Sequence, residues 1–101
     1  LAAIAVNNTI GMQFRVGLNA TEAALDASTR MTITTNGKVG IGTTTPTALL
    51  MLAAGTATAN TAPLKLTSGT NLTTPENGAF EFDGTNLYFT VGGVRKIVTL
   101  T

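Results

Sequence analysis

The stretch RMTITTNGKVGIGTTTPTALLML, residues 30–52, decides the fold that the sequence predicts. Asn36 and Gly37 lie there between two short runs rich in branched residues. Both residue types tolerate the positive φ that a two-residue type I′ turn requires, and such a turn joins two antiparallel strands. We therefore predict a β-hairpin with Asn36 and Gly37 as its structural turn, and further short strands before and after it.

The register of a two-residue turn separates two faces of this hairpin, because side chains alternate along a strand. The predicted pairs are Thr35–Lys38, Thr34–Val39, Ile33–Gly40, Thr32–Ile41 and Met31–Gly42. Large side chains then lie over bare glycine on one face, where another chain can approach closely, and both faces are partly apolar. We assign interchain packing to Ile33, Val39, Gly40, Ile41 and Gly42.

Residues 30–46, RMTITTNGKVGIGTTTP, resemble the R-x-x-I-x-x-x-G-x-V-G-I-G-T-x-x-P repeat of bacteriophage tail fibres and related bacterial fibre proteins. Residues 62–101 are similar to a module that often follows this repeat. The resemblance implies an all-β, elongated homotrimer of intertwined strands on a virion tail fibre or another extracellular surface. Its partners would be copies of itself, other fibre or virion proteins and a host receptor, and no cofactor is implied.

The composition agrees with chains that pack on each other. The 101 residues include 21 Thr, 14 Ala and 11 Gly, no Trp, and only 11% charged residues, so larger apolar residues are thinly spread. A secreted β-sandwich with the same Thr bias fits the composition equally well. A net charge of +1 gives no basic footprint for nucleic acid, and no apolar run of roughly 18 residues predicts a membrane span.

Outside the central hairpin, the sequence predicts further strands and one more tight turn. Alternating apolar residues mark the second strand, and Gly92-Gly93 between Val91 and Val94 is the signal of a two-residue hairpin. That hairpin predicts the pairs Val91–Val94, Thr90–Arg95, Phe89–Lys96 and Tyr88–Ile97. The predicted strands are Leu1 to Val6, Thr9 to Leu18, Leu64 to Thr67, Ala79 to Phe82, Leu87 to Val91 and Val94 to Leu100.

Two segments fit more than one structure. Residues 19–27 predict a single helical turn or an irregular loop. Residues 47–54 fit a two-turn helix, with Thr45 as its cap, Pro46 at its first position and Gly55 after its end. The resemblance instead suggests a strand through Leu49 to Leu52, which we favour because neighbouring strands need an edge partner.

These elements divide the chain into four segments. They are N-terminal strands and a connector at 1–29, the fibre repeat at 30–54, a linker rich in small residues at 55–62 and a C-terminal β-meander at 63–101. The chain begins at Leu1 and ends on a strand-like run at Thr101, which leads us to expect a fragment of a longer fibre.

The sequence offers little for catalysis, since it has no His and no Cys. Glu81 and Asp83 are spaced as a carboxylate pair on one strand face, but a capping role for Asp83 in a turn is favoured. Asp83 and Asn86 lack the dense acidic spacing of a calcium loop. We predict no enzyme activity, cofactor or metal. The alternative function is a host-surface binding module of a fibre tip or an adhesin, with Tyr88 and Arg95 as candidate receptor contacts.

Overall fold

The structure, a computed structural model, describes residues 2–16 and 29–101, and these residues are all-β with no helix. The predictions for Leu1 and for residues 17–28, including Leu18 and the helical turn or loop at 19–27, lie outside the described residues. The chain divides into two compact units, Leu1–Pro63 and Leu64–Thr101. The strands are β1 (Ala2–Asn7), β2 (Gly11–Val16), β3 (Thr29–Ile33), β4 (Val39–Ile41), β5 (Leu50–Leu52), β6 (Phe80–Phe82), β7 (Leu87–Val91) and β8 (Val94–Ile97).

In both units, the order of the strands in the sheet is the same as their order in the sequence. The first unit is a five-stranded sheet of order β1-β2-β3-β4-β5, and the second is a three-stranded sheet of order β6-β7-β8. All neighbouring strands are antiparallel except β4 and β5, which run parallel. Strands from the predicted segments 1–29 and 30–54 therefore belong to one sheet.

The central hairpin forms, but its predicted register is wrong by one residue. Ile33 pairs with Val39, Thr32 with Gly40 and Met31 with Ile41. The amide of Gly37 donates to the carbonyl of Thr34 at 3.0 Å, and the Thr34 amide donates to the Lys38 carbonyl at 2.9 Å. The loop thus has three residues, Thr35 to Gly37, in which Gly37 has a φ of +83° and Asn36 does not have a positive φ. This geometry is a type I turn closed by a glycine bulge, and not the predicted two-residue type I′ turn.

The ambiguous segment at 47–54 contains a strand, as favoured above, and not a helix. The Val39 amide donates to the Leu49 carbonyl at 2.8 Å, and the Ala53 amide donates to the Ile41 carbonyl at 2.9 Å. These bonds extend the parallel ladder of β4 and β5 at both ends. Residues 42–49 connect the two strands in eight residues, which is shorter than the usual crossover between parallel strands.

The second unit contains the predicted three-strand meander in the predicted register, from Val91–Val94 to Tyr88–Ile97. Gly92 and Gly93 have φ values of +61° and +77°, as both positions of a type I′ turn require. Strand β8 ends at Ile97, three residues before the predicted Leu100. The predicted strand at 64–67 is wrong, because residues 64–67 join neither sheet.

Candidate interaction surfaces

One face of the five-stranded sheet carries apolar residues across every strand. Cross-strand partners share a face, so the observed register assembles two continuous rows of five apolar side chains each. We call this surface the apolar sheet face. The first row is Ile4, Phe14, Met31, Ile41 and Leu52, and the second row is Val6, Met12, Ile33, Val39 and Leu50.

The burial of the two faces is the reverse of the usual arrangement. The described residues leave the apolar sheet face open, with Val6 74% exposed, Ile4 65%, Leu50 60% and Ile41 47%. The opposite face is closed, since Thr32 is 0% exposed and Gln13, its partner on β2, is 3% exposed. Isolated exposed apolar residues are ordinary, but a contiguous apolar surface marks an interaction site.

The chain's own connection between β4 and β5 closes the opposite face. A Cβ atom added at Gly40 would collide with the carbonyl oxygen of Thr43, and it would lie 3.4 Å from Cδ of Pro46. Pro46 itself is buried. Because Gly40 is the cross-strand partner of Thr32, residues 43–46 lie on the same side of the sheet as the Thr32 side chain. The short connection therefore packs over this face at Gly40, next to the buried Thr32.

The residues assigned to interchain packing lie on other faces of the hairpin than the two-residue turn predicted. Ile33, Val39 and Ile41 lie together on the apolar sheet face, whereas the two-residue turn placed Ile33 on the face opposite to the other two. Gly40 lies on the opposite face, where its close neighbours belong to the same chain. Gly42 has a φ of +75°, and a Cβ there would lie 2.7 Å from Cβ of Ala53. The close approach predicted at Gly40 and Gly42 is thus made within the chain.

In the second unit, an ion pair and a loop lie on one face of the sheet. Nε of Arg95 donates to Oε2 of Glu81 at 2.7 Å, and both side chains are largely buried. The Leu72 amide donates to Oε1 of Glu81, and the Arg95 guanidinium donates to the Leu72 carbonyl. Thr90, the cross-strand partner of Arg95, is 1% exposed. This face is therefore closed by the chain, like the Thr32 face of the first unit.

The candidate receptor contacts, Tyr88 and Arg95, are engaged within this unit. The Tyr88 hydroxyl donates to Oδ2 of Asp83 at 2.8 Å, and Oδ1 of Asp83 accepts the amides of Thr85 and Asn86, each at 2.8 Å. Asp83 thus caps the turn before β7. Since the polar ends of Tyr88 and Arg95 are already hydrogen-bonded, receptor contact by these residues stays a prediction.

The carboxylates of Glu81 and Asp83, which are spaced as a pair on one strand face, are both held in their ionised form. The hydrogen bond from Arg95, with the Leu72 amide, lowers the pKa of Glu81. The Asn86 and Thr85 amides, with the Tyr88 hydroxyl, lower the pKa of Asp83. General acids that work near neutral pH need a raised pKa, so these shifts run in the opposite direction.

We expect the Glu81 interactions to make the second unit less stable in acid. A lowered folded pKa contributes stability above the ordinary Glu value of 4.5, and this contribution is lost as the pH falls through the folded pKa. Glu81→Gln should therefore melt below the wild type at pH 7, and the difference should shrink toward pH 3. Thermal unfolding at both pH values measures it, with the exposed Glu76→Gln as control. A difference that does not change with pH would contradict the expectation.

The other face of the second sheet forms an apolar groove. Phe80 and Phe82 on β6 share this face with their partners Phe89 and Leu87 on β7, and the Phe80 and Phe89 rings lie 4.7 Å apart. Leu64 and Leu66 flank the same hollow, whose volume is about 470 Å³. We call this hollow the Phe80 groove, and its lining residues are Leu64, Leu66, Phe80, Phe82 and Leu87.

The described residues lack two further kinds of site. Within residues 2–16 and 29–101, no cluster of acidic side chains has the make-up of a metal site, and no helix is long and apolar enough to cross a membrane. The chain matches no protein-family model, no curated protein sequence and no solved structure. The features that bear on function are therefore the two open apolar surfaces, the apolar sheet face and the Phe80 groove.

Proposed function

We propose that this chain is a structural segment of a homotrimeric fibre, such as a phage tail fibre, which links an anchor to a receptor-binding end. The observation that carries the proposal is the apolar sheet face, with its two rows of apolar side chains across five strands. The resemblance of residues 30–46 to fibre repeats supplies the number of copies and the fibre context.

The size of the apolar sheet face supports self-association. Complete burial of an aliphatic side chain contributes about 1.5–3 kcal/mol. Five of the ten side chains are between 37% and 74% exposed, so covering them contributes about 4–8 kcal/mol per copy. Association costs about 4–15 kcal/mol, so the gain is sufficient only if other copies cover most of this face.

The polar groups support a role without catalysis. The two carboxylates closest in sequence, Glu81 and Asp83, are each occupied by donors from the same unit. Their lowered pKa values suit structural hydrogen bonds that fix a loop and a turn. The assembled segment would act mechanically: paired strands resist extension, and covered apolar faces hold the copies together.

The solution mass tests this proposal. Light scattering on the chain, and on the chain carrying a trimerising extension at its end, should give three times the mass of one copy in at least one form. Such an extension restores local concentration if the isolated segment associates too weakly by itself. A folded monomer in both forms would overturn the proposal and favour an adhesin-like binding module.

A further inference from the structure

We infer that the Phe80 groove is a second self-docking surface, which receives the same face of another copy of this chain. The inference rests on the proposed function, because the copies must first be brought together. It assigns a partner to a surface that lies outside the fibre-repeat residues 30–54. The groove is open in the single chain, with Leu64 70% and Phe80 64% exposed.

The chemistry of the groove indicates an apolar surface as its occupant. Small-molecule sites combine apolar walls with a few placed polar groups that orient the ligand. Here the polar side chains with defined partners, Glu81, Arg95 and Tyr88, occupy the opposite face of the sheet. On the groove side, Lys96 is the one charged residue among the described strand positions, and it lies opposite Phe89. An apolar occupant thus fits better than a sugar or an anion.

The size of the groove indicates that its partner is held in place by another contact. A stable interface buries about 800 Å² on each partner, whereas the groove offers five partly exposed side chains, whose area is well below that value. A free partner would bind such a surface weakly. A second copy that is already held through the apolar sheet face presents its own groove at a high effective concentration.

The sheets of the two units are alike in having one face that the chain covers and one open apolar face. This similarity favours the same kind of partner for both. In each unit, a fully buried threonine, Thr32 or Thr90, lies on the face that the chain closes with its own connection or loop. In each unit, the described residues leave the other, apolar face open. Because the first face is proposed to pack against copies of itself, the equivalent face of the second unit has the same partner within reach.

Thiol accessibility tests the inference, since the chain contains no cysteine. Single-cysteine variants Phe80→Cys and Leu64→Cys place a thiol in the groove, and Thr73→Cys places a control thiol in the exposed loop on the opposite face. The rate of alkylation by N-ethylmaleimide is measured in the assembled full chain, with the mass checked by light scattering. It is measured again with Ile41→Lys added, which places a charge on the apolar sheet face.

We expect both groove thiols to react at least about tenfold more slowly in the assembly, and to recover the control rate with Ile41→Lys. The T73C thiol should react at one rate throughout. Groove thiols that react at the control rate in a chain of trimeric mass would overturn the inference and leave the proposed function standing. Groove thiols that stay slow in the monomer would also overturn it, because the chain itself would then cover the groove. A chain that stays monomeric even with the trimerising extension would remove both proposals.

Discussion

Ile41→Lys is expected to convert the assembled chain into a folded monomer. Ile41 lies within the first row of the apolar sheet face and is 47% exposed in the single chain, so a lysine there can reach water in the monomer. In the assembly, the same ammonium group would be buried without a partner, which costs several kcal/mol per copy. We therefore expect the dissociation constant to rise by at least about a thousandfold. Sedimentation or light scattering across a dilution series measures this change.

Leu49→Lys is the matched control for this experiment. Leu49 precedes strand β5 and alternates with Leu50, so it lies off the apolar sheet face although it is 78% exposed. Leu50→Lys, on the face itself, should act like Ile41→Lys, whereas Leu49→Lys should leave the mass unchanged. Leu49→Lys and Leu50→Lys each add one positive charge, and the two positions are adjacent in the sequence, so the variants differ only in the face that carries the lysine. Equal effects of the two would mean that net charge, and not this face, governs association.

Gly40→Val is expected to lower the free energy of unfolding of the first unit by about 3 kcal/mol, the upper part of the range for overpacked sites. The new side chain would collide with the Thr43 carbonyl and press on Pro46, which closes the Thr32 face. In a domain of this size, such a loss lowers the melting temperature by more than about 10 °C. Thermal unfolding followed by circular dichroism measures the change.

Gly69→Val is the control for Gly40→Val, because a Cβ at Gly69 would meet only the Thr67 carbonyl oxygen at 4.0 Å. Combining Gly40→Val with Ile41→Lys shows whether the stability lost at Gly40 comes from packing within the chain or from close approach of another chain. If Gly40 packs against its own chain, the destabilisation persists when the copies are separated. A loss that disappears in the monomer would instead support close approach of another chain at Gly40.

The central hairpin shows which part of the fold the sequence determines. Asn36-Gly37 indicates a turn, but a two-residue type I′ loop and a three-residue loop with a bulge both place Gly37 at positive φ. The two loops differ by one residue of register. A shift of one residue moves every side chain of one strand to the opposite face relative to its partner strand. Gly92-Gly93 leaves less ambiguity, because both of its residues have positive φ, and there the predicted register agrees with the structure.

Contacts with residues distant in sequence determine the structure of the other segments. Residues 47–54 satisfy the local rules for a helix, yet Leu50–Leu52 pairs with β4 as a parallel strand. Only the unpaired edge of β4, which needs a partner, favours the strand over the helix. Residues 64–67 have a strand-like pattern without a ladder partner, and Leu64 and Leu66 line the Phe80 groove instead. The alternation in β2 correctly separates Met12 and Phe14 from Gln13. It does not reveal that Gln13 takes the buried side, because alternation alone does not show which face of a strand the rest of the chain covers.

The agreement between strand order and sequence order has a consequence for how length can change. Neighbouring strands lie about 4.8 Å apart, so the described strands advance about 19 Å sideways from β1 to β5, and none of them lies between two earlier strands. An inserted hairpin would lengthen the ladder by about 10 Å without rethreading any existing connection. Extension and shortening therefore change the number of hairpins, and only the strands beside the change exchange partners.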